Sequence, residues 1–152
     1  MKHTNIPNLP THLYIGGQWR DASDGATFGV TNPATAQLIA NVSSATPEDG
    51  LAALDAAQAA FADWAGRKPR ERAEILRTAF ALIMEQKEEF ARLITIENGK
   101  ALPDSRAKIA YAAEFFRWNS EEAVRNIGEV SRGPSSGRAF SYIISPRASR
   151  CW

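Results

Sequence analysis

The side chains of this sequence that could do chemistry are few. Glu121-Glu122 offers paired carboxylates, the pattern of general acid–base work. Cys151 offers a thiol nucleophile, and Gly16-Gly17 offers backbone N–H groups that could cradle a phosphate. Tyr111, Phe115 and Trp118, at i, i+4 and i+7, could form an aromatic wall for a ligand. Each has a plainer rival. Neighbours on a helix point about 100° apart, so the two carboxylates do not converge. Arg117 and Arg125 flank Glu121 at i−4 and i+4, the spacing of a solvated, ion-paired face. Cys151 lies one residue from the end of an unpatterned tail, with no helix N-terminus beside it to lower its pKa. Gly16-Gly17 opens no helix and reads as a tight turn. The aromatic stripe fits ordinary core as well as a ligand wall. His3 and His12 are isolated, and no metal-ligand spacing is present.

These residues sit on elements that the pattern delimits. Up to about Ser44 the chain reads as short strands: Leu13-Tyr14-Ile15 and Gln18-Trp19-Arg20 around Gly16-Gly17, then Thr27–Val30 after an Asp24-Gly25 turn. Asn32-Pro33 ends that strand, and Gln37–Val42 forms another. Thr46-Pro47-Glu48-Asp49 places a hydroxyl at an N-cap, proline in the first turn and acids on the positive end of a helix. Leu51, Leu54, Ala57, Phe61 and Trp64 predict an apolar stripe packed on a core, ending at Gly66. Arg70–Glu85 repeats the pattern with Ile75, Leu76, Ala79, Phe80 and Ile83 inward. Phe90, Leu93, Ile94 and Ile96 carry that face on to a left-handed cap at Asn98-Gly99. The last helix, from about Asp104 to Arg125, is apolar on two sides (Tyr111, Phe115, Trp118 and Ile109, Ala113, Phe116), which predicts a helix sandwiched between layers. From Asn126 to Gly137 an exposed loop is expected, then one strand over Ala139–Ile144.

Composition bounds the partners. The 152 residues are 44% hydrophobic and 23% charged, with a net charge of +1, which fits one globular domain or part of one. Interspersed charges give no footprint for nucleic acid, and no apolar run reaches the roughly 18 residues that span a bilayer. The polar start has no secretory apolar core, and a single cysteine fits a reducing cytoplasm.

Ile15-Gly16-Gly17-Gln18-Trp19-Arg20, Thr31-Asn32-Pro33-Ala34-Thr35, Leu93–Lys100 and Phe116–Glu122 occur in an order and spacing that resemble the start of an aldehyde dehydrogenase. The run Ile109–Trp118, followed by Glu121–Arg125 and Gly128-Glu129, is most similar to the succinate-semialdehyde and related dicarboxylate-semialdehyde dehydrogenases. The resemblance implies an α/β chain: short strands and about four helices from the N-terminal part of that fold, an incomplete Rossmann-like domain. It implies a disordered tail over 1–12, the N-terminal part of the dinucleotide-binding domain over 13–128, and a loop with the start of an oligomerisation arm over 129–144. A tail over 145–152 departs from the family. The implied activity is oxidation of an aldehyde, succinate semialdehyde first, with NAD or NADP. A cysteine thiolate adds to the carbonyl, hydride leaves for the nicotinamide, and a glutamate-activated water hydrolyses the thioester. A homodimer or tetramer is implied, with no nucleic acid and no membrane. In the family the nucleophile, the base, the oxyanion asparagine and the dinucleotide-binding residues all lie beyond the position of Trp152. This chain is therefore expected to carry no catalytic and no cofactor-binding residues and to be inactive alone. Tyr111 and Phe115 are its candidates for lining the substrate tunnel. A non-catalytic interaction module and a non-functional pseudogene product are the alternatives.

Where Ser145–Trp152 stands, the family has Pro-x-Gly-Val and then Thr-Pro-Trp-Asn. Joining the third base of each codon here to the first two of the next permits Pro-Ala-Gly-Val-Ala-Val-Leu, so a frameshifted gene or a sequencing error is expected. Resequencing the locus is expected to show a one- or two-base shift between about codons 139 and 146 that restores the family string. An in-frame stop after Trp152, with no dehydrogenase coding in either other frame, overturns it.

Overall fold

Glycine turns cut the first third of the chain into hairpins, and helices with proline in their first turn fill most of the rest. The structure, a computed structural model, describes residues 9–125, 129–132 and 139–142. Strands β1 (Leu13–Ile15) and β2 (Gln18–Arg20) pair antiparallel, Leu13 opposite Arg20 and Ile15 opposite Gln18. Gly16 and Gly17, at φ 61° and 82°, supply the two left-handed positions that a two-residue hairpin turn requires. Tyr14 and Trp19 face each other across the strands with ring centroids 4.8 Å apart. Strands β3 (Thr27–Thr31) and β4 (Leu38–Ser43) form a second antiparallel pair. In the turn between them Asn32 Oδ1 accepts the Ala34 N–H at 2.9 Å, and the Asn32 carbonyl accepts that of Ala36 at 2.8 Å. The hairpins are stitched by the Ser43 N–H to the Thr11 carbonyl, 2.8 Å, so part of the expected 1–12 tail is tied down.

Four helices follow: α1 (Pro47–Gly66), α2 (Pro69–Glu85), α3 (Lys87–Asn98) and α4 (Leu102–Glu122). Thr46 caps α1 as expected, and Gly99, at φ 72°, ends α3 in the left-handed conformation. A Cβ at Gly99 would stand 3.0 Å from Pro33 Cγ, so the Asn-Gly and Asn-Pro motifs meet in space. As the Arg70–Glu85 pattern predicts, α2 ends at Glu85, and Gln86 both caps it and precedes α3.

Helices α2 and α3 both pack against α4. The seams are built from the smallest side chains. Ala91, Ala113 and Ser105 have no exposed surface, and Ala73 and Ser120 are also buried. Among the described residues no large apolar side chain is fully buried; the bulkiest group enclosed is Asp49.

Several expectations are corrected here. Most of the α1 stripe is open rather than packed: Leu51, Leu54, Ala57 and Trp64 are exposed and Phe61 is half-buried, while α1 meets β1 with another face, where Ala56 approaches Gly16. Ile75 points outward rather than inward. Helix α4 is not sandwiched. Its Ser105, Ala113 and Ser120 face is buried and its Tyr111, Phe115 and Trp118 face is open. Strand β5 (Glu129–Arg132) lies inside the expected loop and pairs antiparallel with β6 (Ala139–Tyr142), so the Ala139 strand has a partner. The glycines and proline read as a long loop flank a short hairpin strand. His3, Gly128, Gly133–Gly137, Ile143-Ile144 and the Ser145–Trp152 tail with Cys151 lie outside the described residues.

Among the described residues, fifteen large apolar side chains are exposed, and exposed apolar surface of this kind marks interaction or aggregation sites where it is contiguous. The isolated chain is expected to self-associate or precipitate, measured by size-exclusion chromatography with light scattering and by thermal circular dichroism. A monodisperse monomer with a sharp cooperative transition contradicts this and favours a self-sufficient interaction module.

Candidate functional site

Two arrangements gather polar or aromatic groups. The first is the outer face of α4. Tyr111 and Phe115, one turn apart, meet edge to face with centroids 5.1 Å apart at 85°, and are 61% and 54% exposed. Trp118 continues the stripe, also open. Lys108 Nζ stands 5.7 Å over the Tyr111 ring, a cation–π contact. The stripe is aimed by what holds the inner face. Ser105 Oγ and Thr95 Oγ1 lie 3.0 Å apart, and Arg106 grips Glu88 on α3 through Nε and Nη2, both at 2.8 Å. This fork raises the pKa of Arg106 and lowers that of Glu88, chiefly through their mutual hydrogen bond. The structure therefore brings Tyr111 and Phe115 together, on an open face rather than in a closed tunnel.

The second is Asp49. Oδ2 accepts the N–H groups of Ser23 and Thr46, both at 3.0 Å, and Oδ1 accepts from Arg20 Nη2 at 2.8 Å. The Thr46 and Ser23 hydroxyls add contacts at 3.1 and 3.3 Å, and the Asp49 N–H donates back to Thr46 Oγ1 at 3.2 Å, closing a capping box. The Thr46 N–H foremost, then that of Ser23, lower the carboxyl from 3.8 to about 2 against the cost of burial; the Thr46 hydroxyl and Arg20 assist. The sequence marked Asp49 only as an acid on the helix dipole. Its Thr-x-x-Asp spacing was the available sign of the box, but no local pattern shows Arg20 and Ser23 reaching it. Asp49 is thus a latch between hairpin and helix, with both carboxylate oxygens engaged and the side chain shielded from solvent.

The remaining candidates do not converge. Glu122 pairs with Arg125 at 2.9 Å, and Arg117 pairs with Glu114 at 2.6 Å, so the expected partnership of both arginines with Glu121 is corrected; the i+3 reach is the shorter one here. Glu121 instead lines an open cleft of about 210 Å³ between α2 and α4 with Arg70, Glu74, Arg77 and Ser120. Mixed signs there read as a solvated ionic seam. His12 is not isolated: its Nδ1 lies 2.7 Å from Asp21 Oδ1 on the surface. Among the described residues no group of side chains could hold a metal ion, and no helix is long and apolar enough to cross a membrane.

The pattern of the aldehyde dehydrogenase family matches residues 19–147. The NADP+-dependent succinate-semialdehyde dehydrogenase of Escherichia coli K12 is 38% identical over 132 residues, 87% of this chain and 27% of that one. The succinate-semialdehyde dehydrogenase of Paenarthrobacter nicotinovorans is 52% identical over 97 residues, 64% of this chain and 22% of that one. The crystal structure of an aldehyde dehydrogenase from Brucella melitensis biovar abortus 2308 superposes with a TM-score of 0.84 at 36% identity, over 93% of this chain and 29% of the other. The chain thus spans about a quarter of the length of the curated relatives it matches.

The depressed pKa of Asp49 sets a pH window. A carboxyl lowered from 3.8 to about 2 adds stability that is fully present above about pH 4 and is lost as the pH falls toward 2. An NMR titration of the Asp49 carboxyl carbon is expected to show a midpoint near the lower value; one near 4 shows that the latch does not form. Thr46→Ala is expected to loosen the first turn of α1 by about 1 kcal/mol, read as roughly fivefold faster exchange of the Asp49 amide.

Proposed function

Because this chain belongs to the aldehyde dehydrogenase family, we propose that it serves the NAD(P)+-dependent oxidation of a dicarboxylate semialdehyde, succinate semialdehyde first. The observation that supports this substrate class best is the 52% identity over 97 residues to a succinate-semialdehyde dehydrogenase. The proposed organisation follows the family. Residues 13–128 begin the dinucleotide-binding domain, 129–144 begin the oligomerisation arm of a cytoplasmic dimer or tetramer, and 145–152 depart from the pattern.

The described residues do not themselves fit a dinucleotide. No glycine-rich turn leads from a strand into a helix, and the N-terminus of α1 is closed by Thr46 and Asp49, an acid that repels a pyrophosphate. When bound to the whole enzyme, the dinucleotide would supply the hydride acceptor. What this chain contributes is wall and scaffold. Tyr111 and Phe115, locked edge to face, present an apolar surface that keeps water from the aldehyde and limits its orientations. The buried Ser105 and Ala113 on the opposite side fix where that surface points.

The test is a coupled assay. The 152-residue chain alone is expected to form no NAD(P)H from succinate semialdehyde with either dinucleotide. A polypeptide that continues this sequence through the rest of the family pattern is expected to turn over succinate semialdehyde, and Phe115→Ala in it to raise KM for the aldehyde several-fold while leaving KM for the dinucleotide unchanged. Cysteine-dependent activity of the short chain that vanishes in Cys151→Ser refutes the first expectation; an unchanged aldehyde KM refutes the tunnel role.

A further inference from the structure

Helix α4 carries three cations, and each goes to a different place. Arg106 grips Glu88 on α3, and Arg117 pairs with Glu114 while lying 5.8 Å over the Phe80 ring of α2. Lys108 turns to the open face, where its Nζ stands 5.7 Å over the Tyr111 ring. Asp104, one turn earlier, has the spacing of an ion-pair partner. Among the described residues, however, no ion pair engages Lys108, which is exposed. Lys108, Tyr111, Phe115 and Trp118 follow one another at i, i+3, i+7 and i+10, so one ammonium stands at the end of the aromatic stripe. An exposed cation–π contact is a weak hold, and a point charge on a flexible stem can leave the ring for an anion.

We propose that Lys108 sets the choice of aldehyde: its ammonium receives the distal carboxylate of a substrate lying along Tyr111 and Phe115, so that aldehydes ending in a carboxylate are taken in preference to uncharged ones. This rests on the reading of those two rings as the aldehyde's wall and assigns a residue to the substrate class. The chemistry of such a substrate is apolar in the middle and unlike at its ends. The rings accept its methylenes but do not distinguish the carboxylate end from the aldehyde end. A carboxylate laid on an apolar wall without a partner also loses water with nothing in return. An ammonium at one end of the wall answers both needs, turning the carboxylate toward Lys108 and the aldehyde toward Phe115. At a rise of 1.5 Å per residue these two positions are about 10 Å apart along the helix, enough for a chain of four or five carbons. The cleft between α2 and α4 holds more cations, but Glu74 and Glu121 share it and oppose a second carboxylate there. A lysine that only covered the Tyr111 ring with its methylenes would affect stability and not the choice among aldehydes.

The test compares succinate semialdehyde with butanal, which has the same four carbons and no carboxylate, in the polypeptide that continues this sequence through the rest of the family pattern. Lys108→Gln is expected to raise KM for succinate semialdehyde about fivefold, the scale of one exposed charge pair, and to leave KM for butanal unchanged. Lys108→Arg is expected to keep most of the preference, and added salt to shrink the difference between Lys108 and Gln. Lys68→Gln, which removes the same charge from an exposed position ahead of α2, is the control and is expected to change neither KM. Equal losses with both aldehydes, no loss with either, or no preference of the unsubstituted polypeptide for carboxylate-bearing aldehydes overturns the proposal. The wall and the cation fail separately. If Phe115→Ala raises KM for both aldehydes while Lys108→Gln touches neither, the wall stands and Lys108 has no part in it. A preference for glutarate semialdehyde, one methylene longer, that Lys108→Gln abolishes upholds the role of Lys108 and counts only against succinate semialdehyde as the first substrate.

Discussion

Along the contacts of α2, α3 and α4 the fully buried side chains are alanine and serine alone, and the rest of the helical part depends on the closeness this permits. Ala73, Ala91, Ala113, Ser105 and Ser120 occupy the seams, and a larger residue at any of them would push a helix outward or force strained rotamers. Small seams also have little apolar area to remove from water, at about 25 cal/mol per Å². The Ser105–Thr95 hydroxyl pair and the Arg106–Glu88 fork add polar links between α3 and α4 across this contact. Close seams have a second effect: they turn the bulky residues of α4 away from its neighbours, so its aromatic groups collect on one outward line.

The N-terminal part is held differently. There a buried carboxylate does what an apolar core would do elsewhere. Burying Asp49 is tolerable because its oxygens receive two backbone N–H groups, a guanidinium and hydroxyls, and a carboxylate so surrounded is stabilised in its charged form. The latch joins residues 26 and 29 positions apart in sequence, which makes the placement of the β1–β2 hairpin conditional on the first turn of α1. A two-stranded hairpin alone is marginal in water, so this polar anchor decides whether it is held at all.

Local chemistry was legible in the sequence; facing was not. The Gly16-Gly17 turn, the Thr46 cap, the left-handed Gly99 and the strand ended by Asn32-Pro33 depend on a few neighbouring residues, and each stands where the pattern put it. The end of α2 at Glu85 is also where the pattern put it. Strand β5 was hidden by the glycines beside it. Tyr111 and Phe115 were chosen by their resemblance to family positions, and the structure places them side by side, but their openness could not be read from spacing. The Asp49 latch needed Arg20 and Ser23, whose approach is a tertiary fact.

The α1 and α4 stripes show why facing was misread. Helical periodicity reports which side of a helix avoids water in the protein for which the sequence was selected. It does not say that the covering group lies among these 152 residues. Leu51 and Leu54 recur on one line as a packed face should, yet the seam that forms on α1 is the small-residue one, where Ala56 meets Gly16. The short-range contacts that a segment of this length can complete are made by glycine, alanine and serine, and these are the contacts that bring the matching motifs together: Gly16 against α1, Gly99 against Pro33. Large apolar groups need partners from more of the chain. The residues that identify the family are in this way largely those that fold locally, which is why membership is plain from a segment whose largest apolar side chains find no core within it.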